Sequence, residues 1–225
     1  MTIPTSIPEK WITSKGNTPQ LFRYLEQKYI DQFFNRGLLK LSSFQKFAKH
    51  PDEQRRDTQE GQNVLHGFGP DRTVLISARY GRNAFILSTS AREDEELLKT
   101  FSPTYNGYFR IKHSTNFGKA IANRIRDFVQ GFEGFCIYAD QKIMSQQLSQ
   151  PTLDDLETRL DSGSLSLDNI FATTSELSHP AVYFTKHSRY SHQYEYRFVW
   201  IVSYDVPDGI LVECPEAIQY CEKVT

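Results

Sequence analysis

Cysteine is scarce in this chain: Cys136, Cys214 and Cys221 are three among 225 residues, odd in number and far apart. That excludes a disulfide framework as the organising device. The absence of a CxxC pair, and of Cys and His at zinc-ligand spacing, argues against a bound metal. Also missing are the glycine-rich phosphate loops GxxxxGK[ST] and GxGxxG, the GxSxG elbow of serine hydrolases and the HExxH of metalloproteases. No apolar run reaches membrane-spanning length, and residues 1–15 lack the apolar core of a signal peptide, so a soluble, cytoplasmic protein with no membrane contact is expected. Net charge gives no direction either. Lys and Arg total 26 against 27 Asp and Glu, with a pI near 6.6, so bulk basicity does not argue for nucleic acid, while a local basic groove stays open.

What the chain does have is rings. Sixteen Phe and twelve Tyr suit the pleated, half-buried surfaces of a β-containing core. No Pro/Gly/Ser linker or charge block divides the sequence, so residues 1–18, polar and carrying two prolines, read as an N-terminal arm and 19–225 as one domain. Strand patterns fall at 21–24, 38–43, 73–77, 84–88, 107–112, 134–138, 181–185, 194–204 and 209–212. Helical spacing occupies 25–36, stopped by Gly37, then 93–101, 116–130 and, briefly, 152–160. A charged segment over 50–61 reads as an exposed helix or loop. The fold class expected is α+β: a single domain with a mixed, mainly antiparallel sheet and helices inserted between its strands.

The most informative stretch runs from Tyr190 to Trp200. Its alternation predicts a strand with Gln193, Glu195 and Arg197 on one face and Tyr194 and Tyr196 on the other. An amide, a carboxylate and a guanidinium in a row are costly to bury, so that face is expected to meet solvent or a ligand. The ordinary alternative is a wet edge strand with Glu195 and Arg197 as a surface pair. Other candidates are Arg23, which could equally pair with Asp57, and the triplet Ser88-Thr89-Ser90, which could equally lead into a helix N-cap. Arg55 and Arg56, Ser42 and Ser43, and the ring of Tyr24 complete the set.

In chain order, Arg23, Ser88-Thr89-Ser90 and Gln193-x-Glu195 resemble the Arg, Ser-Thr-Ser and Gln/Glu-x-Glu elements of the ADP-ribosyltransferase superfold. From about residue 21 to 200 the chain also resembles an uncharacterised bacterial family associated with toxin–antitoxin and phage-defence genes. The closing element of that family, Lys-x-x-x-Trp-x-x-Glu-x-Glu-x-Arg, is met here by Lys186, Tyr190, Gln193, Glu195 and Arg197. Tyr190 stands for the tryptophan and Gln193 for the first glutamate.

The resemblance implies an ADP-ribosyltransferase-like fold and a mono-ADP-ribosyltransferase of toxin or phage-defence type, with NAD as co-substrate and no metal. Glu195 would hold the ribose and stabilise an oxocarbenium-like state, and Gln193 would orient the acceptor. Arg23, Arg55 or Arg56 would fork the pyrophosphate. Ser88 and Ser90, or in their place Ser42 and Ser43, would lie near the nicotinamide ribose, with Tyr24 also assigned to the cofactor. Arg197 is expected to clamp Glu195. The implied acceptor is nucleic acid, RNA or DNA, ahead of protein, and an antitoxin is an implied partner. The competing readings are a non-catalytic sensor or binding module of a defence system, and an RNA-processing enzyme.

Overall fold

A computed structural model describes residues 11–13, 19–48, 62–79, 81–141, 143–147 and 180–224, with isolated positions between 149 and 162. The charged segment with Arg55, Arg56 and Asp57 lies outside the described residues, and the helix expected over 152–160 lies largely outside them.

In chain order the elements are β1 (Trp11–Thr13), β2 (Leu21–Leu25), α1 (Gln27–Arg36), β3 (Leu38–Ser43), α2 (Phe44–Ala48), β4 (Gln62–Phe68), β5 (Thr73–Arg79), β6 (Ala84–Ser90), α3 (Glu95–Phe101), β7 (Gly107–Ile111), α4 (Ser114–Ala122), β8 (Phe128–Phe135), β9 (Ile137–Ala139), β10 (Ile143–Gln147), β11 (Thr185–His187), β12 (Glu195–Val202), β13 (Ile210–Glu213) and β14 (Cys221–Lys223). Three 3-10 turns join them, at Pro180–Tyr183, Ser188–Gln193 and Pro215–Tyr220.

The main sheet runs β1-β8-β12-β6-β2-β7-β14, with β3 and β13 attached beside β6. Only the β1–β8 pairing is parallel in it, so the α+β, mainly antiparallel architecture holds. Two small sheets flank it, β10-β4-β5 and β11-β9. One face carries the main core: Phe85, Leu87, Tyr196, Phe198 and Trp200 from the sheet meet Ile30 and Phe33 of α1 and Phe117 and Ile121 of α4. On the other face a smaller cluster of Phe44, Ile86, Phe132, Phe184 and Val199 covers the sheet. No helix among the described residues is long and apolar enough to cross a membrane.

α1 ends where the spacing says it must. Gly37 is left-handed (φ 72°), its N–H bonds Phe33 O at 2.6 Å, and a Cβ there would overlap the backbone of Cys214 and Pro215.

Four expectations are corrected. The arm is not wholly outside the sheet, because Trp11–Thr13 pairs with Gly131–Glu133 and Trp11 joins the core. The helix expected over 116–130 stops at Ala122; Asp127 turns the chain at φ 53° and Phe128 begins β8. Ile125 and Phe128 satisfy a helical period, yet a turn and a strand bury them against the same core. The strand expected over 181–185 is a 3-10 turn followed by the short β11, and the Tyr183 carbonyl accepts from Arg197 Nη1 (2.9 Å) rather than from a neighbouring strand. The run 134–138 divides at Cys136 into the end of β8 and the start of β9, since β9 leaves the main sheet to pair with β11.

Candidate functional site

A split in the sheet creates the cavity. β6 shares Phe85 and Ile86 with β3 but Ser90 with β2. Between those pairings, Leu87–Thr89 has no register partner on that side among the described residues. A backbone carbonyl stranded there needs a donor. Arg23, from the middle of β2, supplies one: its Nη1 donates to Ser88 O at 2.6 Å. Across the other edge of β6, antiparallel β12 sets Glu195 opposite Ser90 and Arg197 opposite Ser88, on the same face.

Seven of the sequence candidates line this one cavity: Arg23, Tyr24, Ser42, Ser88, Ser90, Gln193 and Glu195. Its empty space is about 690 Å³ counting the open mouth, within the ~300–1,000 Å³ of small-molecule sites. Phe22, Phe101 and Tyr105 line it too, and Tyr24 and Phe101 lie tilted with centroids 5.5 Å apart. These rings offer a flat ligand an apolar wall.

Glu195 is the electrostatic centre. It is 3% exposed, yet Oε1 accepts from Ser88 Oγ (2.6 Å) and Arg197 Nε (2.5 Å), and Oε2 accepts from Lys186 Nζ. Its backbone N–H donates to Tyr138 Oη at 2.8 Å. Burial alone would raise its pKa; the charges of Arg197 and Lys186 overcome that and hold the carboxyl well below its ordinary range. An ionised carboxylate offers about four acceptor positions, and three donors fill three of them. That count leaves one position, on Oε2.

The strand expected to carry Gln193 beside Glu195 begins only at Glu195. Residues Ser188–Gln193 form a 3-10 turn, and Tyr194 is left-handed at φ 45°, a strained setting for a bulky side chain. Tyr194 is consequently exposed rather than paired with Tyr196 on the opposite face. Gln193 and Glu195 still meet, but through Lys186, whose Nζ also donates to Gln193 Oε1 at 2.7 Å. The row of polar side chains is buried, not wet, because each member neutralises or bonds the next.

Other candidates divide sharply. Ser43 faces away from the cavity: it is buried, and its Oγ accepts from Lys46 N at 3.1 Å, capping the first turn of α2. Strand alternation separates it from Ser42. Ser90 Oγ accepts from Arg92 N (3.1 Å) at the strand end. The Tyr24 hydroxyl donates to Arg92 O and accepts from Asp94 N, both at 2.8 Å, so it fixes the approach to α3, and burial pushes its pKa up to about 12. Arg197 clamps Glu195 as expected, with Nη1 anchored on Tyr183 O.

Lys186 is the member whose position sequence spacing could not supply. It lies on β11, in the two-stranded sheet with β9, opposite Tyr138. That small sheet therefore brings two groups to Glu195 from outside the main sheet. Among the described residues, the charged side chains lining the cavity are three cations, Arg23, Lys186 and Arg197, and one carboxylate, a balance that favours an anionic ligand. Comparison with protein-family models, curated proteins and solved structures finds no match to this chain.

Proposed function

We propose that this cavity binds NAD and transfers its ADP-ribose to an acceptor. The observation that carries the reading is the adjacency of β12, β6 and β2, by which Glu195, Ser88 and Arg23, far apart in the chain, share one face of one cavity. These belong to the Arg, Ser-Thr-Ser and Gln/Glu-x-Glu elements that the sequence resembles. The ring-lined wall suits nicotinamide, and the cationic balance suits the pyrophosphate.

In the reaction, the bond from ribose C1′ to the nicotinamide nitrogen breaks and its electron pair neutralises the pyridinium. An acceptor lone pair then bonds to C1′, and the acceptor's proton passes to solvent. Glu195 would take the ribose hydroxyl at its remaining acceptor position and stabilise the positive charge growing at C1′. Ser88 and Arg197 keep Oε1 turned and ionised for that role. Nucleic acid is the acceptor class we favour, with protein second, and a toxin or phage-defence role in the cytoplasm, with an antitoxin as partner, belongs to the same proposal.

The test is release of nicotinamide from labelled NAD, with label followed into RNA, DNA and lysate protein. Cleavage that disappears in a folded Glu195→Gln variant supports the reading, and absence of cleavage by the wild type defeats it. One observation favours a second reading. Lys186 and Arg197 together place more positive than negative charge beside the reacting carbon, which helps an anion bind more than it helps a cation form. A binding module would hold NAD, raise its melting temperature with it, and cleave nothing.

A further inference from the structure

We infer that Lys186 is the positioning residue that fixes Gln193 and Glu195 relative to each other, so that it sets how much of the cleaved ADP-ribose reaches an acceptor rather than water. The inference rests on the reading above for its chemistry, but its geometry stands apart from it.

Strand register does not hold the Gln193–Glu195 pair. Gln193 ends a 3-10 turn, Tyr194 reverses the backbone, and Glu195 begins β12. Two side chains on either side of a left-handed residue have no common pleat to align them. Among the described residues one atom bridges them: Lys186 Nζ donates to Gln193 Oε1 at 2.7 Å and to Glu195 Oε2. An ammonium has three N–H donors. The face of the Tyr190 ring, with its centroid 4.8 Å from Nζ, is the third neighbour. Arg189 holds that ring in turn, donating from Nη2 to Tyr190 Oη at 2.8 Å. With two acceptors and a π face, Lys186 has no donor left over for a ligand. It acts on the reaction through Gln193 and Glu195, which makes it a positioning residue and not a catalytic one.

Charge separates its role from simple support. Glu195, Arg197 and Lys186 together carry a net positive charge, so Lys186→Met leaves a neutral, hydrogen-bonded Glu195–Arg197 pair. The variant should therefore fold, with the ribose carboxylate kept and the link to Gln193 cut. Gln193 then no longer holds the acceptor at C1′, and water takes its place.

The experiment uses the full chain and NAD labelled separately in nicotinamide and adenylate, with total cellular RNA as the acceptor probe. The ratio of label transferred to nicotinamide released is measured for wild type and Lys186→Met. A ratio that falls about tenfold, equal to ~1.4 kcal/mol of lost positioning, is the expected result, whatever the change in total cleavage. An unchanged ratio, including loss of cleavage and transfer in equal proportion, overturns the inference. A second arm needs no turnover: the side-chain amide resonances of Gln193, assigned with Gln193→Glu, should shift or broaden in Lys186→Met. If they stay where they are in the wild type, the inference fails. Where the wild type cleaves no NAD, the functional reading falls and the amide resonances decide the positioning role alone.

Discussion

Glu195 on β12 and Glu133 on β8 are buried to the same 3% on adjacent strands, and they meet opposite electrostatic surroundings. Glu195 faces the cavity and is answered by two cations and a serine. Glu133 points to the other face, beneath α4, where among the described residues its hydrogen-bond partners are neutral. Trp11 Nε1 donates to its Oε1 at 3.3 Å, Thr115 Oγ1 donates to the same oxygen, and Oε2 is buried without a hydrogen-bond partner among the described residues. Burial raises the pKa of Glu133 against its neutral donors, whereas charge carries Glu195 in the opposite direction. Equal burial thus goes with an ion-paired, cavity-lining carboxylate in one place and a structural latch between β1, β8 and α4 in the other. What distinguishes them is the partner set.

The largest effect expected from breaking this comparison is at Glu195. Glu195→Gln leaves Lys186 and Arg197 as buried cations without a counter-charge, which costs about 3–5 kcal/mol in urea unfolding. The same change should lower NAD cleavage by about 100-fold or more. Because folding and chemistry fall together, the turnover measurement belongs at a temperature where circular dichroism shows the variant native.

Acid titration sharpens the comparison through its sign. The folded Glu195 carboxyl is depressed, so its stabilisation is complete above the ordinary Glu value of about 4.3 and is lost as pH falls through the folded value. The stability gap between wild type and Glu195→Gln should therefore narrow below about pH 4.3. Glu133 is raised, so its favourable contribution is complete below the ordinary value and is lost as pH rises through the folded one. Relative to Glu133→Gln, the wild type should lose ground as pH rises above the ordinary Glu value of about 4.3.

Smaller effects complete the series. Ser88→Ala removes one hydrogen bond to a charged acceptor and should cost about 1.5–3 kcal/mol, with Arg197 and Lys186 still holding Glu195. Glu133→Gln keeps an oxygen for Trp11 and Thr115, the neutral donors that meet the carboxyl among the described residues. At pH 7 its unfolding free energy should stay within about 1 kcal/mol of wild type, and NAD turnover should be unchanged. A large loss of turnover in that variant would end the distinction between the two glutamates.

Much of this was legible before any coordinates. β2, α1, β3 and β6 follow from local alternation, the 3.6 period and Gly37, because the forces that select them act within a few residues. Arg23, Ser88 and Glu195 were singled out by their conjunction in chain order and the resemblance it carries, rather than by any one of them. Three residues were misplaced. Trp11 looked like part of a polar arm because its strand is only three residues long and its partner lies some 120 positions away. Gln193 was placed on the strand because Tyr190-to-Trp200 alternates, yet a 3-10 turn and a left-handed Tyr194 tolerate the same pattern. Ser43 was grouped with Ser42, though neighbouring residues on a strand face opposite ways.

The sequence by itself determined the α+β class, the order of the strands along the chain and the residue types available to a site. Tertiary structure alone decided that β6 would divide its edge between β2 and β3, leaving a gap that Arg23 and Ser88 line. It also decided that Lys186, carried on a separate two-stranded sheet, would reach Glu195. The physical reason is range. Backbone and side-chain preferences act over a few residues, whereas the field at Glu195 depends on charges delivered by different strands. Arg197 stands two residues from Glu195 on β12 and was legible locally, but no local pattern encodes the approach of Lys186 from β11.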